Sequence, residues 1–245
     1  MEVRGLKTIL ITGAGTGLGK ELALAYAQEG NRIILVGRTQ THLDEVRQMI
    51  DQTNGSARSV VCDITDSIQV KQVLAHLNET EKIDQVINNA GIGYFGPLQD
   101  IPADQISHMI DTNVKGTIFV SKAILPTFLE RNAGKIMNII STAGLRGKVH
   151  ETAYCASKFA IRGFTEALVK ELENTSISVS GVYMGGMDTP FWDENHFITD
   201  RSRLKSAKEV ALEILERENE IELIINLFSF LAAIHHNSYI FNIPY

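Results

Sequence analysis

The chain has 245 residues, 44% of them apolar and 21% charged, which is ordinary for a soluble α/β protein with a sizeable core. Its formal net charge of −6 argues against nucleic acid as a main partner, because phosphate binding requires an excess of lysine and arginine. Two cysteines form no disulfide framework, the first residues lack the apolar stretch of a signal peptide, and no apolar run is long enough to span a bilayer, so we expect a cytoplasmic protein.

The first predicted element is a short buried strand, Thr8–Ile11, followed at once by a glycine-rich turn and a helix-forming stretch, Glu21–Ala27. In this order, glycines permit a tight turn and close approach of the backbone to a ligand, and the helix N-terminus offers free N–H groups and partial positive charge. The sequence therefore predicts a phosphate-binding turn. Its candidate residues are Gly13, Gly15, Thr16, Gly17, Leu18 and Gly19.

The second predicted strand, Arg32–Val36, ends in Gly37-Arg38-Thr39. A carboxylate near this strand end binds the ribose 2′-hydroxyl of NAD, whereas an arginine accommodates the 2′-phosphate of NADP. Because Arg38 stands here and no acidic residue does, the sequence predicts that NADP(H) is preferred over NAD(H), with Arg38 and Thr39 as the binding residues. An exposed arginine without a ligand is the alternative.

Strands and helices then alternate along the chain. A polar helix (Thr41–Gln52), a strand (Ser59–Val61), a helix capped by Asp66 or Thr65 and a fourth strand (Ile83–Ile87) follow in order. Such alternation indicates right-handed βαβ units and a parallel sheet, whose ligands bind beyond the carboxyl ends of the strands. The turn Asn88-Asn89-Ala90-Gly91 falls at one of those ends.

The second half of the chain continues this pattern. A helix from about Pro102 carries Asn113, and a fifth strand (Lys135–Ile140) ends at Ser141. A long helix follows, and then a sixth strand (Ser176–Tyr183). A last helix (Ala207–Arg217) and a seventh strand (Ile221–Asn226) complete the pattern. The prediction is a single Rossmann-type domain, residues 1–245, in which a doubly wound parallel sheet of about seven strands carries helices on both faces.

Tyr154 and Lys158 stand four residues apart at the start of the long helix, so their side chains share one face, about 5–6 Å apart at Cβ. A free phenol has a pKa of about 10 and is a poor acid or base at neutral pH. A nearby ammonium favours the phenolate, so we expect Lys158 to lower the pKa of Tyr154 towards the working range of a general acid–base. The Ser141 hydroxyl, thirteen residues earlier, could converge on the same point.

Taken together, these residues resemble the short-chain dehydrogenase/reductase family over roughly residues 7–226. The resemblance rests on the glycine-rich turn at 12–19, Asn88-Asn89-Ala90-Gly91, Asn113, Ser141 and Tyr154-x-x-x-Lys158, in the family's order. It implies that Tyr154 exchanges the proton of the substrate oxygen, that Ser141 hydrogen-bonds this oxygen, that Lys158 binds the nicotinamide ribose, and that Asn113 holds a water linked to Lys158.

The resemblance also implies further cofactor contacts and an assembly. The expected additional cofactor-binding residues are Asp63 and Ile64 near the adenine, Asn89, Ala90 and Gly91 near the adenosine ribose, and Thr189 near the carboxamide. A homodimer or homotetramer is expected, and no metal. One departure is visible, because the family usually has proline where this chain has Met184. Loss of proline frees that backbone dihedral, so a more mobile nicotinamide-side loop is expected.

The sequence thus predicts an NADP(H)-dependent oxidoreductase that interconverts a carbonyl and an alcohol. A non-catalytic dinucleotide sensor on the same fold is the main alternative, but a sensor needs no complete Asn–Ser–Tyr–Lys set. A sugar-nucleotide epimerase is disfavoured because little chain follows Thr189. The loops expected around the substrate are 93–95, 145–152 and 191–197, and their histidines, His150 and His196, are interpreted as bystanders.

Overall fold

In the computed structural model, residues 6–189, Phe191 and residues 204–225 are described. The predicted loop residues Trp192, His196 and Phe197 and the apolar tail 227–245 lie outside the described residues. In this part of the chain no helix combines the length and apolar character needed to cross a membrane.

The described residues form sixteen α-helices and β-strands. In chain order they are β1 (Thr8–Thr12), α1 (Gly17–Gln28), β2 (Arg32–Gly37), α2 (Gln40–Gln52), β3 (Ser56–Val61), α3 (Ser67–Thr80), β4 (Ile83–Asn88), α4 (Ala103–Met109), α5 (Thr117–Glu130), β5 (Gly134–Ile139), α6 (Thr152–Glu171), β6 (Ile177–Met184), β7 (Met187–Asp188), β8 (Lys205–Ser206), α7 (Ala207–Glu216) and β9 (Glu222–Ile225). A π-helical segment, Ile110–Gly116, joins α4 to α5.

Seven of the strands form one parallel sheet in the order β3-β2-β1-β4-β5-β6-β9. The strand order reverses between β1 and β4, which is where ligands bind in open α/β sheets. Because all seven strands run the same way, their carboxyl ends share one edge. The predicted fold class, a doubly wound Rossmann-type sheet, is confirmed.

Alternate side chains of the central strands enter separate cores on the two faces of the sheet. On β1, Ile9 and Ile11 pack with Leu22 and Tyr26 of α1, whereas Leu10 packs on the opposite face with Phe128 of α5 and other apolar side chains. All six side chains are at most 1% exposed. This double burial fixes the sheet between its two helical layers and holds its carboxyl edge in place.

The structure departs from the predicted elements at their ends. Helix α1 begins at Gly17, four residues before the predicted start, because the last glycines of the turn form its first turn. Strand β3 starts at Ser56 instead of Ser59, because it pairs with β2 from Arg32 onwards. Of the two candidate caps of α3, Asp66 is the cap, since its carboxylate accepts from the N–H groups of residues 68 and 69 at 2.9 and 3.0 Å.

Candidate active site

The glycine-rich turn leads from β1 directly into the N-terminus of α1. Gly13 has φ +65°, and a Cβ atom there would lie 2.9 Å from Ala90 Cα, so this position requires glycine on both grounds. Thr16 is the N-cap of α1, but its side chain makes no capping hydrogen bond, and no acidic residue occupies the first turn. The turn therefore offers backbone N–H groups and helix-dipole charge with no carboxylate to oppose an anion.

Thr12 fixes this turn to the end of the neighbouring strand. Its hydroxyl oxygen accepts from the N–H groups of Asn89 and Ala90 at 3.0 and 3.1 Å. The Asn89 amide donates back to the carbonyls of Thr12 and Gly13 at 3.0 and 3.3 Å. Thr12 is a positioning residue that was not predicted from the sequence. The signal for it was a hydroxyl residue at the end of β1, directly before the first glycine.

Arg38 and Thr39 lie at the exposed end of β2, where α2 begins. Thr39 is the N-cap of α2 and its hydroxyl makes no capping hydrogen bond. Across the cleft, Asp63 accepts from the N–H and hydroxyl of Thr65 at 2.9 and 2.8 Å. Partial burial raises the pKa of Asp63, but these hydrogen bonds and the charge of Arg38 outweigh it and bring the pKa below its usual value. The charges of Arg38 and Asp63 therefore interact, and both residues line the same cleft.

Ser141 follows β5 in an unusual backbone conformation, with φ +123° and ψ +152°. This region is normally reserved for glycine, and residues held in it carry strain of about 1–3 kcal/mol. The Ser141 hydroxyl accepts from the N–H of Ala143 at 3.2 Å and lies near the hydroxyl of Tyr154, whose pKa it lowers. Both side chains are 6% exposed. The predicted convergence of the two hydroxyls is present in the structure.

Lys158 lies one helical turn beyond Tyr154 and is only 5% exposed. Its ammonium donates to the carbonyl of Ile139 at 3.2 Å and lies 5.6 Å from the centre of the Tyr154 ring. Burial lowers the pKa of Lys158 to about 8.

The expectation that Lys158 lowers the pKa of Tyr154 is wrong for this structure. Burial raises the pKa of Tyr154, the Ser141 hydroxyl acts against this, and the negative charge of Glu151 adds to it. Burial outweighs the effect of Ser141 because the phenol is enclosed. The ammonium of Lys158 donates its hydrogen bond to the carbonyl of Ile139 and not to the phenol oxygen.

Asn113 lies in the π-helical segment, where its side chain is 1% exposed and fully engaged. The amide accepts from the N–H of Ile92 and donates to its carbonyl, both at 2.8 Å, and also donates to Ser157 at 3.0 Å. A Cβ atom at Gly91 would lie 3.3 Å from the Asn113 side chain and 3.5 Å from Lys158 Nζ. Asn113 thus connects the segment that follows β4 to Ser157 of α6, the residue before Lys158.

A single cleft of about 790 Å³ along the carboxyl edge brings most predicted site residues together. Those that line it are Gly13, Gly15, Thr16, Gly17, Leu18, Arg38, Thr39, Asp63, Ile64, Asn89, Ala90, Gly91, Ser141, Tyr154, Lys158 and Thr189. Gly19 and Asn113 do not line it. A Cβ atom at Gly19 would lie 2.1 Å from the Gly13 carbonyl oxygen, so Gly19 lets the helix pack against the turn.

Comparison with known proteins agrees with this architecture. Residues 7–197 match the family model described as short chain dehydrogenase. The chain belongs to this family. It is therefore an oxidoreductase acting between CH–OH and C=O groups.

Relatives of this dehydrogenase include proteins known from sequence and from crystal structures. An uncharacterised oxidoreductase of Staphylococcus aureus strain MRSA252 is 34% identical over 206 residues, which cover 84% of this chain and 88% of that protein. A short-chain dehydrogenase from Burkholderia phymatum in complex with NAD has a TM-score of 0.85 at 25% identity and covers 96% of this chain and 94% of its own. One from Sphingobium yanoikuyae in complex with NADPH has a TM-score of 0.83 at 26% identity, with 94% and 91% covered.

At the end that contains Tyr154, the cleft of this dehydrogenase has an aromatic wall, formed by Tyr94, Phe95 and Phe191. The rings of Phe95 and Phe191 lie 5.3 and 5.8 Å from the Tyr154 ring, and 5.8 Å from each other. Loops 93–95 and 145–152, which the sequence analysis expected around the substrate, contribute to the cleft, and Lys148 and Glu151 of the second loop line it. Neither residue was predicted from the sequence, because charged side chains in a loop usually face solvent and have no specific function.

Proposed function

We propose that this short-chain dehydrogenase uses NADP(H) to interconvert a carbonyl and an alcohol, with Tyr154 as the general acid–base. The observation that carries the proposal is that Ser141, Tyr154 and the buried Lys158 line the same cleft as the glycine-rich turn. Two hydroxyls close together at one end of a dinucleotide-sized cleft suit a substrate oxygen that accepts from both.

Tyr154 gives its proton to the substrate oxygen in reduction and takes it back in oxidation. Burial raises its pKa, so the phenol holds its proton at neutral pH and gives it up only as negative charge develops on the substrate oxygen. Ser141 orients the substrate oxygen, since its own hydroxyl is held by the N–H of Ala143. Lys158 would donate to the nicotinamide ribose, and Asn113 would hold a water that links Lys158 to solvent.

The chain's own residues fit a dinucleotide along the cleft. The uncapped N-terminus of α1 and the open backbone at Gly13 suit a diphosphate, and the carboxylate of Asp63 with Ile64 suits adenine. Asn89, Ala90 and Gly91 also line the cleft and would contact the adenosine ribose. Thr189, whose side chain lies next to Gly17, would contact the carboxamide of the nicotinamide. Arg38 and Thr39 would hold the 2′-phosphate. When bound, the nicotinamide supplies or accepts the hydride.

A panel of ketones and aldehydes with NADPH, followed by loss of NADPH absorbance, tests this proposal. We expect turnover of at least one apolar carbonyl compound, because the substrate end of the cleft is aromatic. Tight NADPH binding without turnover of any compound would favour the dinucleotide sensor instead. The same assay with NADH measures the cofactor preference.

We also propose that the protein is a homodimer or homotetramer. The outer face of α6 carries small residues at helical spacing, Ala156, Ala160, Gly163 and Ala167, with Phe159 43% exposed among them. A Cβ atom at Gly163 would meet no atom of the described residues within 4 Å, so glycine there is not required by the packing of this chain. Close approach of a second helix would use it. Light scattering that gives a stable monomer at micromolar concentration would contradict this proposal.

A further inference from the structure

Glu151 places a partly buried carboxylate at the substrate end of the cleft. The residue precedes α6, lines the cleft, and its side chain is 17% exposed. Its Oε2 atom is enclosed and accepts no hydrogen bond from any described residue. The Lys148 ammonium lies 3.7 Å from it, which is an ion-pair distance but too long for a hydrogen bond. A buried oxygen without a hydrogen bond is destabilising, so this one calls for a functional explanation.

The backbone around Glu151 holds the carboxylate in position. The preceding residue, His150, has φ +64°, and its carbonyl accepts from the N–H of Gly96 at 2.8 Å. The Glu151 carbonyl accepts from the N–H of Cys155 at 2.7 Å, in the first turn of α6. The backbone that carries the carboxylate is therefore anchored both to the aromatic-wall loop and to the helix that carries Tyr154.

The charge of Glu151 acts on the hydroxyl of Tyr154. Burial raises the pKa of Glu151 in spite of Lys148, and the Glu151 charge in turn raises the pKa of Tyr154. Glu151 is the N-cap of α6, three residues before Tyr154, and both residues line the cleft, so a group bound by Glu151 would be attached close to the carbon whose oxygen meets Tyr154.

The chemistry of the neighbouring pair favours one kind of substrate group. A hydroxyl can donate to the carboxylate of Glu151 and accept from the ammonium of Lys148 at the same time. An ammonium on the substrate would be repelled by Lys148, and a carboxylate would be repelled by Glu151. The opposite side of the pocket is aromatic, with Phe95 and Phe191 against Tyr154.

We propose that Glu151 and Lys148 form a specificity-determining pair that selects substrates with a hydroxyl group on the carbon next to the reacting carbonyl or alcohol, and with an apolar part against Phe95 and Phe191. The inference rests on the proposed function, since it concerns the substrate of that reaction. The substrate class is an apolar α-hydroxy ketone and the corresponding vicinal diol.

Two ketones test this directly: 2-hydroxyacetophenone, and 2-methoxyacetophenone, which keeps the oxygen but loses the donor. We would measure the ratio of their kcat/KM values with NADPH in the wild type, Glu151→Ala, Glu151→Gln and Lys148→Met. Val149→Ala, an exposed change in the same loop, is the matched control. Loss of a hydrogen bond to a charged group should lower the hydroxy-to-methoxy ratio about 10- to 100-fold in Glu151→Ala. Glu151→Gln should lower it less, and the control not at all.

Equilibrium binding of both ketones to the NADP⁺-saturated protein separates this inference from the proposed function. Preference for the hydroxy ketone that disappears in Glu151→Ala supports the inference even if no turnover is found, whereas the absence of turnover would overturn the proposed reaction. A ratio that is the same in the wild type and in Glu151→Ala, in binding and in turnover, overturns the inference. A higher affinity for 2-aminoacetophenone than for the hydroxy ketone would also overturn it, because the selected group would then be a cation.

Discussion

Lys158 and Arg38 are cations at opposite ends of one cleft, and their surroundings differ. Lys158 is 5% exposed, donates to the Ile139 carbonyl, and has its pKa lowered to about 8 by burial. Arg38 lies at the exposed end of β2, where its charge lowers the pKa of Asp63. A charge in an enclosed site interacts strongly with its neighbours and destabilises the fold, whereas an exposed charge is weakened by water and salt. Changes at the buried end should therefore have large effects, and changes at the exposed end small ones.

The largest effect is expected from Tyr154→Phe. Only the hydroxyl is lost and the ring keeps its contacts with Phe95 and Phe191, so the fold should persist. Loss of a general acid–base typically lowers turnover by about 10²–10⁴-fold. Steady-state reduction with NADPH measures turnover, and circular dichroism checks the fold. Near wild-type turnover would remove Tyr154 from the mechanism.

Lys158→Met should separate activity from stability. Turnover should fall nearly as far as in the tyrosine variant, with weaker cofactor binding. The pKa falls from 10.5 to about 8 on folding, which corresponds to about 3 kcal/mol of destabilisation at neutral pH, so the variant should be more stable by about 1–3 kcal/mol once the lost hydrogen bond to Ile139 is included. Lys170→Met, an exposed change on the same helix, is the control.

The pH dependence of the same variant sharpens this test. Between pH 8 and 10.5 the unfolded chain holds the Lys158 proton and the folded chain does not, so wild-type stability gains from rising pH in this window. Below pH 8 both states are protonated and the penalty is constant. The stability advantage of Lys158→Met should thus be full below pH 8 and shrink towards pH 10.5. Denaturant unfolding at several pH values measures it, and a constant difference would contradict the assigned pKa.

The buried end of the cleft could be predicted from the sequence only in part. The fold class and the convergence of Ser141 with Tyr154 followed from hydrophobic periodicity and motif spacing, because these depend on local chain order. The raised pKa of Tyr154, the strained backbone of Ser141 and the orphaned oxygen of Glu151 could not be predicted. They depend on how completely neighbouring elements enclose a group, and spacing along the chain does not report enclosure.

Ser141 offers a comparison between two substitutions at one strained position. Ser141→Ala and Ser141→Gly both remove the hydroxyl, so both should lose most of the turnover. Glycine relieves the φ +123° conformation and alanine does not, so Ser141→Gly should be more stable than Ser141→Ala by about 1 kcal/mol, or roughly 2–4 °C in Tm. Thermal unfolding of the two proteins side by side measures it. Equal melting temperatures would show that the backbone there is not strained.

The smallest effect is expected at Arg38, and it concerns cofactor choice. The guanidinium can form charge-assisted hydrogen bonds to a 2′-phosphate, and the Thr39 hydroxyl, which does not cap α2, can add another. Such a bond contributes about 1.5–3 kcal/mol, or roughly a 10- to 100-fold preference for NADP(H). We expect the lower end, because Arg38 is exposed, and a smaller preference still at high salt.

Arg38→Ala should remove most of this preference and leave NAD(H) affinity nearly unchanged, as measured by titration of both cofactors at two salt concentrations. Gly37→Asp should favour NAD(H), but a Cβ atom at Gly37 would lie 3.2 Å from Leu43 Cδ2, so the Leu43 side chain must shift by a few tenths of an ångström in that variant. A melting curve of Gly37→Asp controls for this shift, and Arg38→Ala is the cleaner test. Equal affinities for the two cofactors in the wild type, or tighter binding of NADH, would mean that the end of β2 does not bind a 2′-phosphate.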